Sequence, residues 1–256
     1  MNSTTIRFAI RSALIAATTV GLMLSVGVAQ AAGPQARQLA NFQDQAAALA
    51  GLWVSYALGD ATFDPTASMG AVDCLENQPA ANRVIVLTGN YGGTTVRSCN
   101  VPDSVPLFFP VVNCFIGNYD TSFSCATDVD CDPLGLPAVC SDGTCLLDLS
   151  VDEKTEVCDE TTSLLCDLAV ELDGVRLYPM SGGMPVLGVV SPPTPGWIFG
   201  DADSELIASG YWALLSPLAE GSHTLTFSGG VRGPDGVCGS AFSLDVTYLL
   251  TVNGTD

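Results

Sequence analysis

The sequence predicts a mainly β protein: an antiparallel, jelly-roll-like β-sandwich with one N-terminal helix and a disulfide-rich loop insertion. Short apolar runs, separated by glycine and proline turns, recur from residue 84 to the C-terminus, which is typical of sandwiches. Helical periodicity is confined to the segment Gln35–Leu58. The 256 residues include 26 glycines, 15 prolines and ten cysteines, a composition that favours a turn-rich, cross-linked domain.

Residues 1–31 are predicted to be a secretory signal peptide. Arg7 and Arg11 precede an apolar run over 12–28, and Ala29-Gln30-Ala31 places small residues at the two positions that signal peptidase recognises. An uncleaved N-terminal anchor is the alternative, because the apolar run is slightly long for a leader. We therefore expect a secreted or periplasmic protein with no stable membrane insertion.

All ten cysteines follow the leader, and in an exported chain we expect them to form disulfides. A zinc site is the weaker alternative, because the spacings contain no Cys-x-x-Cys and the only histidine lies far away. The sequence leaves the pairing open. The disulfide candidates are Cys74, Cys99, Cys114, Cys125, Cys131, Cys140, Cys145, Cys158, Cys166 and Cys238.

The mature chain is predicted to divide into a sandwich domain, 32–113 and 167–256, and an acidic insertion, 114–166. The sandwich domain begins with the helix near 35–58, which Gly59-Asp60 ends. The insertion carries seven of the ten cysteines and few aromatic residues. We expect an extended loop that buries no core of its own and is held by its own bridges.

Strand patterns cover most of the remaining sandwich domain. From Phe242 to Val252 every second residue is apolar, which predicts a strand with one buried face. Pro110 lies inside an apolar run and predicts a sheet edge or a bulge. The other predicted strands cover 84–87, 107–112, 211–215 and 223–228.

The clearest local element is a hairpin over 170–177. Asp173-Gly174 supplies the two positive φ angles of a type I′ turn. In that register Leu172 faces Val175, Val170 faces Leu177, and Glu171 faces Arg176 as an opposite-charge pair.

The charge balance excludes nucleic-acid binding. The chain has 8 Lys+Arg against 27 Asp+Glu, a net charge of −19, and loss of the leader arginines would take it to −21. A nucleic-acid site needs a cluster of basic residues to displace counterions, and so few cannot form one. We expect a hydrated acidic surface on which Lys154, the only lysine, is exposed.

Two alternating acidic runs are candidate calcium ligands, because hard cations prefer several carboxylate oxygens on a flexible turn. The candidates are Asp128, Asp130, Asp132, Asp201, Asp203 and Glu205. The first run departs from an EF-hand loop, since Pro133 stands where glycine is needed and Val139 where the bidentate glutamate is needed. Solvated acidic loops are the alternative for both runs.

No catalytic residue is assigned from the sequence. His223 is the only histidine and the chain has no Gly-x-Ser-x-Gly motif, so we expect a histidine at the rim of a strand, bonded to backbone. Carboxylate pairs could hydrolyse glycosides, but pairs arise by chance among 27 acids. Trp197, Tyr211 and Trp212 could stack on a sugar ring, although aromatic residues in sandwich strands more often belong to the core.

The chain resembles a family of secreted bacterial proteins of unknown function. The motifs that carry the resemblance are Trp53, Asp73-Cys74, Gly89, Gly92-Gly93, Arg97-x-Cys99-x-Val101-Pro102, residues 107–111 followed by Asn113, Gly210-Tyr211-Trp212, Pro217-Leu218, Gly221-x-His223-Thr224 and Val246-Thr247-Tyr248. The resemblance implies an exported β-rich domain and a Cys74–Cys99 bridge, and it implies no activity. About twenty residues between Cys125 and Cys145 are also similar to Dickkopf-type cysteine-rich modules.

These features predict an extracellular or cell-surface binding or structural module, with carbohydrate or protein as its partner. The alternative is a secreted, carboxylate-dependent hydrolase acting on carbohydrate, with calcium as a stabilising cofactor. The sequence leaves the oligomeric state open.

Overall fold

The computed structural model describes residues 34–254, apart from 61, 80–83, 135, 180–185 and 200. The predicted signal peptide, 1–31, lies outside the described residues. Two α-helices, α1 (Pro34–Leu58) and α2 (Val151–Ser163), and a 3₁₀ helix (Asp128–Leu134) occur in the described part. Its strands are β1 (Gly70–Ala71), β2 (Ile85–Val86), β3 (Gly93–Pro102), β4 (Leu107–Ile116), β5 (Asp120–Ser124), β6 (Ala138–Ser141), β7 (Thr144–Leu147), β8 (Leu165–Leu172), β9 (Val175–Tyr178), β10 (Val186–Val190), β11 (Thr194–Ile198), β12 (Asp201–Leu215), β13 (Gly221–Val231) and β14 (Phe242–Asn253).

Two large sheets form the body of the protein. Over the described residues, one sheet has the strand order β1-β3-β14-β13-β8-β9, and the other has the order β10-β12-β4-β2 with β11 paired to β12. Side chains from both sheets share one buried core, in which the rings of Phe109 and Phe227 stack at 4.9 Å. The prediction of a mainly β sandwich is confirmed. The jelly-roll detail is not confirmed.

Strand direction differs from the prediction at three places. β1 and β3, β3 and β14, and β2 and β4 pair in parallel, whereas the other pairs of the two sheets are antiparallel. The long pairing of β3 with β14 joins segments that are distant in the chain. Alternation of apolar residues predicts which face of a strand is buried, but it carries no information about the direction of a distant partner.

Helix α1 adds a third layer on the outer face of the second sheet. Trp53 meets Trp212 edge-on at 5.5 Å, and Trp212 stacks on Phe108 at 5.5 Å. The first six residues of β4, 107–112, are buried on both faces, which explains why they form a continuous apolar run. The register shifts where Pro110 lies, so the predicted bulge is present there, although β4 is an interior strand.

The 170–177 hairpin is present with one change of register. Asp173 and Gly174 have φ angles of +53° and +76°, as a type I′ turn requires. The pairs Leu172–Val175 and Glu171–Arg176 match the prediction, and the charged pair lies 3.7 Å apart. One prediction is wrong: beyond these pairs the register shifts, so Val170 lies opposite Tyr178 instead of Leu177.

The cysteine-rich segment is more ordered than the predicted loop. α2 was not expected, and it begins at a capping box in which Ser150 and Glu153 bond each other's backbone N–H groups. The segment also contributes Leu147, Leu149 and several cysteines to a small apolar core shared with Ile207 of β12. The expectation of an extended loop is wrong, because the segment contains α2 and the small sheet of β5, β7 and β6. Its apolar core is shared with the second sheet.

The disulfide prediction is confirmed, and every described cysteine is paired. Cys114–Cys158, Cys125–Cys140 and Cys131–Cys145 close within the insertion. Cys166–Cys238 joins its C-terminal end to the β13–β14 connection, and Cys74–Cys99 closes within the sandwich. Closing loops of about 15 residues stabilises a fold by roughly 3 kcal/mol per bridge on the chain-entropy account.

Candidate functional site

The most elaborate polar network in the sandwich surrounds Arg97. This side chain of β3 is 1% exposed, and each of its five N–H groups donates one hydrogen bond. The acceptors, at 2.7–3.0 Å, are the Tyr248 hydroxyl and the carbonyl oxygens of Thr66, Ser68, Thr88 and Gly89. Arg97 therefore fixes the loop that follows α1, and the connection after β2, onto the first sheet.

Tyr248 completes this network. It lies opposite Arg97 in the β3–β14 pairing, and the guanidinium carbon is 5.4 Å from its ring centroid. Its hydroxyl donates to the Thr88 carbonyl at 3.0 Å and accepts from the Thr88 N–H at 3.2 Å. Among the described residues no carboxylate forms an ion pair with Arg97, so hydrogen bonds to backbone carbonyls and to the tyrosine stabilise its buried charge.

A cavity of about 360 Å³ lies beside this network. Arg97 and Tyr248 belong to one wall, and Tyr56 and Phe63, whose rings meet edge-on at 5.7 Å, belong to another. Burial raises the pKa of Tyr56 to about 12, with a smaller contribution from Tyr248, so its hydroxyl stays protonated. Cavities of this size that contain several convergent polar groups are the usual form of a small-molecule site.

The second acidic run lies beside a buried cation. Lys154 of α2 is 1% exposed, which corrects the expectation of a surface lysine, and its Nζ donates to Asp203 Oδ2 at 2.6 Å. Burial alone would raise the pKa of Asp203, but hydrogen bonds from Lys154, Asn118 and Glu205 outweigh it and hold that pKa below its usual range. The ammonium therefore occupies the position at which a calcium ion would meet Asp203.

The first acidic run supports its own loop. Asp130 Oδ2 accepts from the N–H groups of Ala126 and Thr127 at 2.8 and 2.9 Å, and Asp128 Oδ1 accepts from the Cys140 N–H at 2.7 Å. Among the described residues the only metal-like grouping of ligand atoms is Cys125, Cys131 and Cys145, whose sulfurs are in disulfides. The structure brings neither acidic run together as such a grouping, and calcium binding stays a prediction.

His223 joins the start of β13 to the β8–β9 turn. Its Nδ1 lies 2.7 Å from Asp173 Oδ2 and its Nε2 lies 2.9 Å from the Ala219 carbonyl oxygen. Both ring nitrogens thus face acceptors, which favours the doubly protonated imidazolium. The hydrogen bond to Asp173, with a second to Ala219, raises the pKa of His223. The prediction named only backbone partners, and the carboxylate is an addition.

Exposed aromatic side chains project from the β11–β12 turn. Ile198 pairs with Asp201, which places Phe199 first in a two-residue turn, and its φ is +51°. Asparagine, aspartate and glycine prefer this position, because a bulky side chain is strained there. Phe199 is nevertheless 72% exposed, and Trp197, two residues earlier in β11, is 38% exposed.

The neighbouring β5 segment completes this surface. The Tyr119 ring meets that of Phe199 at 4.9 Å and a 69° angle, and the Asp120 N–H donates to Asp201 Oδ2 at 2.7 Å. We call Trp197, Phe199, Tyr119, Asp120 and Asp201 the aromatic tip. The other two sugar-stacking candidates are not available there, because Trp212 is fully buried and Tyr211 packs against the core.

Sequence reasoning missed the cavity and found only part of the aromatic tip, namely Trp197 as a sugar-stacking candidate and Asp201 as a calcium candidate. Arg97 stands out as a motif residue, but nothing in its flanking sequence names its five acceptors. A usable signal did exist at residues 199–200, because Phe-Gly between two strand patterns places an aromatic residue where a tight hairpin needs positive φ.

Comparison with known proteins adds no assignment: no family model, curated protein or solved structure matches the chain. The resemblances described above therefore stay predictions. Within the described residues, no helix is long and apolar enough to span a membrane.

Proposed function

We propose that this protein is an exported binding module that holds an extracellular carbohydrate at its aromatic tip. The observation that carries the proposal is Phe199, an aromatic residue with positive φ whose ring is mostly in solvent. A backbone strained in this way costs about 1–2 kcal/mol, and the contact with Tyr119 recovers only about 0.5–1.5 kcal/mol while most of the ring stays in solvent. Such strain commonly accompanies a binding role.

Carbohydrate is the partner whose chemistry fits the tip best. The apolar faces of sugar rings stack on aromatic side chains such as Trp197 and Phe199, and sugar hydroxyls donate well to carboxylate oxygens such as those of Asp120 and Asp201. The residues that define the tip include no basic side chain, which favours neutral glycans over sulfated or phosphorylated ones.

The rest of the fold supports an extracellular location. Five disulfides cross-link the described chain, and such bridges persist in oxidising environments. The tip itself lies on a β-hairpin of the second sheet, near the bridged insertion. The contact with Tyr119 limits the motion of the Phe199 ring and so lowers the entropy lost when a ligand binds.

Affinity electrophoresis through neutral polysaccharides, followed by calorimetry with the matching oligosaccharide, tests the proposal. We expect Trp197→Ala and Phe199→Gly each to weaken binding roughly tenfold. Val175→Ala, which trims an apolar residue that is 60% exposed and lies outside the tip, is the control and should bind normally.

The glycine variant separates binding from folding. Relief of strain at residue 199, about 1–2 kcal/mol, should offset loss of the Tyr119 contact, about 0.5–1.5 kcal/mol, so stability stays near that of the wild type. Unretarded migration of the wild type in every polysaccharide, or normal binding by both tip variants, would refute the proposal. Release of reducing ends during incubation would instead favour the hydrolase.

A further inference from the structure

We propose that the cavity beside Arg97 binds a small organic ammonium compound. This site is separate from the aromatic tip, and neither proposal depends on the other. The cavity lies between the C-terminal end of α1, the loop that follows it, and strands of the first sheet. Its volume of about 360 Å³ is at the lower end of the range for small-molecule sites, which fits a compact ligand.

The buried arginine argues against an anionic ligand. All five N–H groups of Arg97 already donate to protein acceptors within 3.0 Å. The Tyr248 hydroxyl donates to one carbonyl and accepts twice, so it has no remaining donor. An anion in the cavity would need hydrogen-bond donors that this wall has already used, and taking one would leave a buried carbonyl unsatisfied.

The groups that remain for a ligand are mainly acceptors and aromatic rings. Asp73 and Glu76 line the cavity and are both exposed, and among the described residues no hydrogen bond engages the Glu76 carboxylate. With Arg97 they give the lining a formal charge of −1. A ligand that carries positive charge and N–H or polarised C–H groups therefore matches the available oxygens.

Aromatic and thioether groups suit the apolar part of the same ligand. Tyr56 and Phe63 line the cavity with electron-rich rings, which attract organic cations most strongly where water is excluded. Met69 also lines the cavity, and its flexible side chain is 70% exposed, so it can fold over a bound ligand.

The hydroxyl of a buried tyrosine points to the same site. Tyr56 is 6% exposed, and both N–H groups of the nearby Gln78 amide donate instead to the carbonyls of Cys74 and Val86. No described residue accepts the proton of this hydroxyl. A tyrosine buried in this way usually has an acceptor. The hydroxyl group of an amino alcohol could supply it while the ammonium group lies near the rim carboxylates.

The long-range field also favours a cation. The chain carries a net charge of −19, and such an excess raises the local concentration of small cations around the protein. This effect is not specific to the cavity, and salt screens it. A test must therefore separate general attraction from occupation of this site.

Three small probes test whether a cation occupies this cavity. Choline carries the positive charge, 3,3-dimethyl-1-butanol has the same shape without the charge, and acetate is the anionic probe. Calorimetry on the full mature chain at about 0.15 M salt suppresses general attraction. We expect choline to bind with a millimolar Kd, the isostere to bind about tenfold more weakly, and acetate not to bind. Equal affinity for choline and the isostere, tighter binding of acetate, or no detectable choline binding would overturn the proposal.

Charge-matched variants then locate the site. Glu76→Gln and Asp73→Asn should each weaken choline binding by about two- to fivefold. Asn at 73 keeps the oxygen that accepts from the Leu75 N–H, so the turn is retained. Glu156→Gln removes the same charge from an exposed position on α2 and should leave binding unchanged. Equal losses in all three variants would show general attraction and refute the site.

Discussion

Replacing Asp203 by asparagine tests whether the buried ion pair anchors the insertion to the sandwich. The change keeps the shape of the side chain but leaves the Lys154 ammonium, 1% exposed, without its counter-charge. The acceptors that remain for the ammonium, the Glu205 carbonyl 3.1 Å away and the amide oxygen of the new side chain, are both neutral. Breaking a buried pair from one side costs about 3–5 kcal/mol, because an uncompensated charge stays buried.

The reciprocal change, in which Lys154 is replaced instead of Asp203, should lower the free energy of unfolding by a smaller amount. Lys154→Met removes the ammonium, but the Asp203 carboxylate keeps the N–H groups of Asn118 and Glu205, at 2.7 and 2.9 Å. We therefore expect this variant at the lower end of the same range. The double variant Lys154→Met, Asp203→Asn leaves no unpaired charge buried. Its loss of free energy of unfolding should therefore be at least about 2 kcal/mol smaller than the sum of the losses in the two single variants.

Equilibrium urea unfolding without reductant, followed by circular dichroism, measures all three costs. For a chain of this size each kcal/mol corresponds to about 2–4 °C in Tm, so Asp203→Asn should lower Tm by roughly 6–20 °C. The control is Glu156→Gln, on the exposed side of the same helix, which should stay within about 0.5 kcal/mol of the wild type. A loss of free energy of unfolding below about 1 kcal/mol in each single variant, or a loss in the double variant equal to the sum of the two, would refute this reasoning.

Three further predictions concern the pH dependence, the helix cap and calcium. Asp173 raises the pKa of His223, so the wild type should exceed His223→Gln in free energy of unfolding by the largest amount below about pH 6.5. This difference should shrink as the pH rises through the raised pKa of His223. Urea midpoints that differ equally from pH 5 to 9 would contradict this. Ser150→Ala removes one half of the capping box and should cost about 0.5–2 kcal/mol in the same assay, and an unchanged midpoint would show that the cap is dispensable. Calcium at either acidic run should raise Tm in millimolar calcium relative to EDTA, and equal melting temperatures would remove that prediction.

Elements that depend on local pattern could be predicted from the sequence. The bounds of α1 agree within one residue, and the alternation along β14 matches its buried and exposed faces. The Asp173-Gly174 turn is likewise local, since the backbone of two residues determines it. The Ser150-x-x-Glu153 capping signature was equally readable, and α2 was missed because its many acids resemble a loop.

The candidate sites could not be predicted in this way, because their parts come from distant segments. Arg97 resembles a surface residue until the carbonyls of two loops and the Tyr248 hydroxyl surround it. Lys154 resembles a solvated lysine until α2 packs against β12 beside Asp203. Hydrogen-bond acceptors on the backbone leave no mark in a sequence, since every residue carries one.

Composition and short-range periodicity by themselves determined that this chain is acidic, mainly β and rich in cysteines, because charge, turn preference and alternation belong to single residues and their near neighbours. Tertiary structure alone decided which cysteines pair, which strands run parallel, where the arginine and the lysine are buried, and which aromatic rings stay in solvent. Each of those outcomes depends on how distant segments share volume and hydrogen bonds, which no local pattern specifies.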